Sequence, residues 1–454
     1  MTVAGLGDRG NVIEAALTDA RSGEQLWGAR SAPLTPGSAG ATDSLAERIA
    51  TAVATRLDPK LAHWITHASG PTSLESYREF RRGLDLYTDA QAGAAASHFL
   101  AAARDTGFTM AIVLAAWANY YAGQPGTADS LARLLQPRRL APLDRALVDH
   151  QLLVFKGDLA GEYAAAAAIA AVAPQSEWRY FLAESALRVG RAREAIRVLE
   201  GMGPDQGWLE GFAGYWMQLG RALHLAGEHE RELTAMEEAR RRFPTNRIIA
   251  QMVLKALAAL GRVTEVETEV NRAFTLKQKG NWTDNQPMEQ AVAELSAHGY
   301  PDAARRLAER TVAWIGQQPP DDRHALAPSL PFFLLEAGQT SDARGLAAGL
   351  LAKTPEDLGL LLFVGTLSAE WGDRATARRI DAQLARVLDP SLRSEILVIR
   401  AGIAASLGER EAAVSLIQDA CRAGFAARGL LHMLPEFAPL RGYPPFDLLA
   451  GPVD

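Results

Sequence analysis

The chain has 454 residues, 48% apolar and 22% charged, with 47 Lys+Arg against 53 Asp+Glu and a formal net charge of -6. That apolar content is ample for a folded core and excludes general disorder, while the acidic balance argues against wholesale binding of nucleic acid or an anionic membrane. Cys421 is the single cysteine, which excludes an internal disulfide and a multi-thiolate zinc site and fits a reducing compartment.

The first residues, MTVAGLGDRGNVIEAALTDARSG, lack the basic segment and apolar core of a secretory signal, so a cytoplasmic location is expected. Val12, Ile13, Ala15 and Leu17, a polar turn over Asp19 to Gly23, and Gln25, Leu26 and Trp27 predict one β-hairpin. Two strands are marginal in water, so the hairpin must pack on helices or belong to a larger sheet. Asp43 is placed to cap a helix through Leu45, Ile49, Val53 and Leu57, ended by Asp58 and Pro59. His63 and His67 in HWITH are four apart, but Trp64 stands where a zinc hydrolase carries glutamate, so a boundary helix is the expectation.

From about Thr72 the pattern is helical and punctuated. Glycines suited to the position just past a helix end recur at Gly123, Gly157, Gly190, Gly227, Gly261, Gly299, Gly338, Gly372 and Gly408. Their spacings are 34, 33, 37, 34, 38, 39, 34 and 36 residues, the length of two helices with two short turns. Five residues after six of them stands alanine, at Ala128, Ala195, Ala304, Ala343, Ala377 and Ala413, where a small side chain lets two helices approach closely. Around Gly227, Trp216, Leu219, Gly220, Ala239 and Pro244 fall on the pattern of a tetratricopeptide repeat. Pro355 and Pro390 close two more units, whereas Pro331, Leu254 and Val292 depart from the small-residue position and predict irregular hairpins.

Two helices illustrate the pattern. After Pro301, Ala304, Leu307, Ala308, Thr311 and Ile315 form one apolar stripe, with Arg305, Arg306, Glu309 and Arg310 opposite. After Gly372, Asp373 is placed to cap a helix whose stripe runs Ala377, Ile380, Leu384 and Leu388. The alanine-rich stretch Tyr163 to Ala173 is too short to cross a bilayer and reads as a closely packed helix.

The segment WLEGFAGYWMQLGRALH concentrates Trp208, Phe212, Tyr215 and Trp216, and Trp178 with Tyr180 extends the group. Such a stripe is the core of a repeat or, because it is wider than one hairpin buries and Trp and Tyr favour interfaces, a partner-contacting surface; these six are the candidate partner contacts. His224 and His229 flank a repeat turn and read as structural. The run Arg240, Arg241, Arg242 sits where cations are stabilised by a helix C-terminus, and Cys421 reads as a small buried hydrophobe. No ordered set of kinase motifs and no phosphate loop ending in Gly-Lys-Ser/Thr occurs, so an enzyme is not expected.

The succession of DARSGEQLW, LAERIATAVATRL, PTSLESYREFRRGLDLY and helical repeats resembles the C-terminal half of bacterial regulators that join a TolB-like domain to tetratricopeptide repeats, and the ending FAPLRGYPPFDLL strengthens it. In such proteins a Ser/Thr kinase, a winged-helix DNA-binding domain or an adenylate cyclase commonly precedes these parts. The resemblance implies a truncated TolB-like α+β unit over 1–68, a tetratricopeptide-like solenoid over 69–434 and a capping segment over 435–454.

The resulting expectation is an all-α, right-handed, TPR-like solenoid of about nine or ten helical hairpins with a small N-terminal α+β remnant. A non-catalytic scaffold binding a protein or peptide on its concave surface is the expected function. The alternative is the sensory half of a bacterial signalling protein without its effector. No cofactor, metal or nucleic acid is expected, and no membrane span.

Overall fold

The computed structural model describes residues 2–5, 11–23, 25–33, 39–58, 61, 70–88, 91–205, 209–273, 286–389, 392–425 and 428–452. His63, Trp64, His67, Trp208 and Pro390 lie outside them. The architecture is all-α and TPR-like, with one small sheet at the N-terminus. The chain divides into two compact units, one of residues 1–156, 164–179 and 202–212, the other of 157–163, 180–201 and 213–454.

The first unit opens with strands β1 (Thr2–Gly5), β2 (Asn11–Thr18) and β3 (Gln25–Arg30), an antiparallel sheet in the order β1-β2-β3. The β2–β3 hairpin is the expected one, pairing Leu17 with Trp27 and Ala15 with Ala29. Asp19 closes its turn by accepting the backbone N–H groups of Arg21 and Ser22, both at 2.8 Å. Strand β1 was not legible in the glycine-rich start and supplies the third strand, pairing Val3 with Ile13. Helix α1 (Ala39–Leu57) begins four residues before Asp43, so Asp43 lies inside its first turns and does not cap it. Leu45 and Ala52 of α1 are buried, Leu57 is exposed, and Arg56 donates to the Leu26 carbonyl at 2.8 Å, tying helix to sheet.

The hairpins then follow: α2 (Leu74–Thr88) with α3 (Ala92–Ala102), α4 (Thr109–Tyr121) with α5 (Pro125–Arg133), and α6 (Pro142–Lys156) with α7 (Leu159–Val172). Phe80, Phe99 and Phe108 are fully buried at the first of these, and Gly83 lets α2 lie against the Phe99 ring, which a Cβ would meet at 2.6 Å. In the alanine-rich α7, only Glu162, Ala166 and Ile169 are fully buried.

In the second unit come α8 (Tyr180–Arg188) with α9 (Ala192–Glu200), α10 (Ala213–Leu225) with α11 (His229–Arg242), and α12 (Arg247–Ala259) with α13 (Val263–Ala273). Next are α14 (Gln286–Ala297) with α15 (Pro301–Gly316), the short α16 (Pro320–Leu326), and α17 (Leu330–Glu336) with α18 (Thr340–Lys353). Pro331 sits at the start of α17, which is only 7 residues long and follows a 3₁₀ turn, so this hairpin is irregular, as expected. The last pairs are α19 (Leu358–Glu370) with α20 (Arg374–Leu384) and α21 (Arg393–Ser406) with α22 (Arg410–Arg422), followed by α23 (Pro444–Ala450). Within the units, α2 packs on α3, α3 on α4 and α4 on α5, and α10 on α11, α11 on α12 and α21 on α22.

The repeat grammar is met in backbone and core alike. All nine period glycines have positive φ, between +67° and +87°. At Gly227 the chain closes α10 with two bonds, Gly227 N–H to the His224 carbonyl and Glu228 N–H to that of Leu223, both 2.9 Å, a geometry a Cβ would strain. The six alanines five residues later are all at most 1% exposed. In α15 the stripe Ala304, Leu307, Ala308, Thr311 and Ile315 is buried while Arg305, Arg306 and Glu309 are exposed. Asp373 does cap α20, accepting the Thr376 N–H at 3.1 Å, but the helix ends at Leu384 and Leu388 is 89% exposed.

Beyond α22 the chain folds back. Leu431, Phe437, Leu440 and Phe446 join Ala413, Ile417 and Ala420 in one core cluster, with Cys421 half-buried at its margin. The same segment touches α10, where Leu225 lies 3.3 Å from a Cβ placed on Gly429.

Candidate functional site

Of the aromatic residues singled out as partner contacts, the five among the described residues are buried or half-buried. Trp178, Tyr180, Tyr215 and Trp216 are 5%, 6%, 3% and 7% exposed, and Phe212 is half-buried. Tyr215 donates its hydroxyl to the Leu199 carbonyl at 3.1 Å, and the Arg242 guanidinium covers the Trp216 ring at 5.3 Å. Side chains so placed hold hairpins together and have little area left for a partner, so the core reading of this stripe accounts for them. The arginine run is likewise engaged: Arg240 pairs with Glu269 at 2.9 Å, and Arg241 and Arg242 both bind Glu238.

Two other places in the second unit carry chemistry. The first is a cavity of about 400 Å³ between α18 and α20, floored by α19. Leu361, Leu367 and Ile380 form its buried floor, and Leu351, Val364 and Trp371 its half-buried walls. Arg344 and Arg379 stand exposed at its rim, Arg344 lying 5.0 Å over the Trp371 ring. Neither arginine makes an ion pair with a described residue. The acid nearby, Asp373, caps its helix and is held below the usual carboxylate range first by the Thr376 N–H and hydroxyl and to a lesser degree by the charges of Arg344 and Arg379.

The second is a buried cluster of histidines and carboxylates drawn from six segments. α10 brings His224, α11 His229 and Glu232, α12 Lys255, α14 Glu294, the turn after it His298, and the C-terminal segment His432. Glu232 and Glu294 are fully buried. His224 lies with Nδ1 2.8 Å from Glu232 Oε2 and Nε2 3.2 Å from Glu294 Oε1. A carboxylate only accepts, so Nδ1 carries the proton to Glu232. His298 Nε2 and His432 Nε2 each approach Glu294 Oε2 at 3.3 Å, Lys255 Nζ reaches Oε1 at 3.4 Å, and His229 Nδ1 stands 3.2 Å from Glu232.

Burial works against charge on all these groups, and the partners decide the outcome. For Glu294, burial is outweighed by the three imidazoles around it, which hold its carboxyl well below the usual range. Glu232 is lowered too, its burial overcome by His224 and His229. His224 is raised, because Glu232 and Glu294 prevail over burial and the neighbouring Lys255, whereas burial keeps His432 below its ordinary value despite Glu294. His224 and His229 were legible in sequence as residues flanking a turn. Glu232, Lys255, Glu294, His298 and His432 were not, because His224 and His432 are 208 positions apart and no spacing rule spans that separation.

No protein-family model matches the chain, and no curated protein matches it. Among solved structures it is similar to a chain of the Naa15/Naa10 complex bound to HypK-THB, at 14% identity over 81% of this chain and 62% of that one, with a TM-score of 0.29. It is also similar to the pentatricopeptide repeat protein PPR10 from maize, at 14% identity over 88% and 61% of the two chains, TM-score 0.35. A third is the human IFIT1 dimer with m7Gppp-AAAA, at 13% identity over 89% and 92%, TM-score 0.37. The matched part spans about three fifths of the first two chains.

Proposed function

We propose that the chain is a non-catalytic helical-repeat scaffold that binds an extended, acidic peptide segment of a protein partner. The observation that carries this reading is the cavity between α18 and α20, an apolar trough with two exposed arginines at its rim, neither in an ion pair with a described residue. Apolar side chains of the peptide would fill the trough over Leu361 and Ile380 while its carboxylates pair with Arg344 and Arg379, whose planar guanidinium favours bidentate contact. The trough lies between second helices of consecutive hairpins, whereas Tyr180, Tyr215 and Trp216 lie on first helices and are spent on packing.

Fluorescence anisotropy with a labelled peptide alternating Leu and Glu tests this. Saturable binding, weakened tenfold or more by Arg344→Glu with an unchanged melting curve, is expected. Binding that ignores Arg344→Glu and Arg379→Glu, or a preference for single-stranded RNA lost in the same variants, would overturn the peptide assignment. The alternative, a sensory half of a bacterial signalling protein, rests on the sheet and α1 that precede the repeats. It predicts that a kinase or winged-helix regulator supplied in trans binds through that segment, and deletion of residues 1–68 without loss of such binding would refute it.

A further inference from the structure

We propose that His224, His298, His432 and Glu294 form a closed binding site for one divalent transition-metal ion, zinc being the best fit to the donors. Three imidazole Nε2 atoms and one carboxylate converge on a common point. The separations are 3.2 Å between His224 Nε2 and Glu294 Oε1, and 3.3 Å for His298 and His432 to Glu294 Oε2 and for His224 to His432. The four donor groups all lie within 4.8 Å of one another. Zinc bonds of about 2.0–2.1 Å in a tetrahedron set donors roughly 3.3 Å apart, which these separations match, and the remaining ones, within 4.8 Å, need only a small contraction.

The hydrogen inventory points the same way. In the neutral tautomer that donates Nδ1–H to Glu232, His224 Nε2 presents a lone pair to the Nε2 of His432 at 3.3 Å. Two imidazole nitrogens in that relation need a proton or a cation between them. Glu294 Oε1, although near Lys255 Nζ and His224 Nε2, and His298 Nε2 are buried without a well-formed hydrogen bond, an interior state that is costly unless something satisfies it. Two buried carboxylates against the one ammonium of Lys255 leave a negative charge for a cation to meet. Glu232 takes the part of the outer carboxylate that orients a metal-bound histidine, and His229 in turn holds Glu232.

Four protein donors leave no open position, so the ion is structural. It pins the C-terminal segment, through His432, to α10 and α14 of the same unit. Imidazole with a single carboxylate and no thiolate suits zinc, nickel or cobalt better than calcium or magnesium.

The test uses the full chain with any affinity tag removed, stripped with EDTA and titrated with Zn2+ by calorimetry and with Co2+ by visible absorption. One ion per chain with sub-micromolar affinity and an intense four-coordinate cobalt spectrum is expected. His432→Ala, on the half-buried terminal segment, should weaken zinc about a hundredfold while circular dichroism stays unchanged, and Glu232→Gln should weaken it about 10–100-fold. His98→Ala, in the first unit, should bind as the parent chain does. Absence of saturable binding at micromolar Zn2+ and Co2+ would overturn the proposal. So would a pale six-coordinate cobalt spectrum, or parent-like affinity in both His432→Ala and Glu294→Gln.

Discussion

At the scale of single residues, Gly220 and Glu436 show how local volume and local dielectric set stability. A Cβ on Gly220 would stand 2.7 Å from Met252 Cε and 2.9 Å from Met236, in the contact between α10, α11 and α12. Gly220→Leu should therefore cost about 1–3 kcal/mol through overpacking, whereas Arg305→Ala on the exposed side of α15 should stay within about 0.5 kcal/mol. Thermal denaturation of the two variants side by side checks it, and equal midpoints would contradict the packing. Glu436 is 9% exposed, and burial, aided by repulsion from Glu370, pushes its carboxyl from 4.5 up to about 7. In the unfolded chain it ionises near 4.5 while the folded protein keeps it protonated, so stability falls as pH rises from about 4.5 to 7 and the loss is complete above that. Glu436→Gln should then melt higher than the parent at pH 8, by an amount bounded at about 3 kcal/mol, and match it near pH 4. A gain at pH 4 instead of pH 8 would reverse the sign and refute the assignment.

At the scale of elements, the hairpin is the unit, and its two constraints were readable because both act within a few residues. A positive φ after a helix demands glycine, and a close helix crossing demands a small side chain, so both leave a mark at fixed spacing. The period glycines and the alanines five positions later accordingly fell where the structure needs them. Strand β1 and the start of α1 were missed because their signals are not local. β1 is made by pairing with β2, and α1 extends past its polar capping candidate. The aromatic stripe was ambiguous for a related reason: periodicity shows that Tyr215 and Trp216 share a face, but whether that face is interior depends on Leu199 and Arg242, contributed by other helices.

At the scale of the whole molecule, the C-terminal segment closes the second unit. Ending the chain at Gly424 would strip Leu431, Phe437, Leu440 and Phe446 from a cluster in which each is at most 1% exposed. With about 1.5–3 kcal/mol per fully buried large side chain, the shortened protein should melt well below the parent and bind a hydrophobic dye. An unchanged melting curve would show that the segment is dispensable to the core. The same truncation removes His432 and so should abolish tight zinc binding, a loss that His432→Ala separates from the loss of packing.

What the sequence by itself determined is the repeat: its length, its register and the small residues at its crossings, because these follow from backbone conformation and contacts between neighbouring helices. What only the tertiary structure decided is chemistry assembled across the array. The arginines of the α18–α20 cavity and the donors around Glu294 are ordinary surface-type residues in the sequence. They become a trough where consecutive hairpins stack and a charged cluster where distant segments of one unit are folded against each other, and no one-dimensional period encodes that meeting.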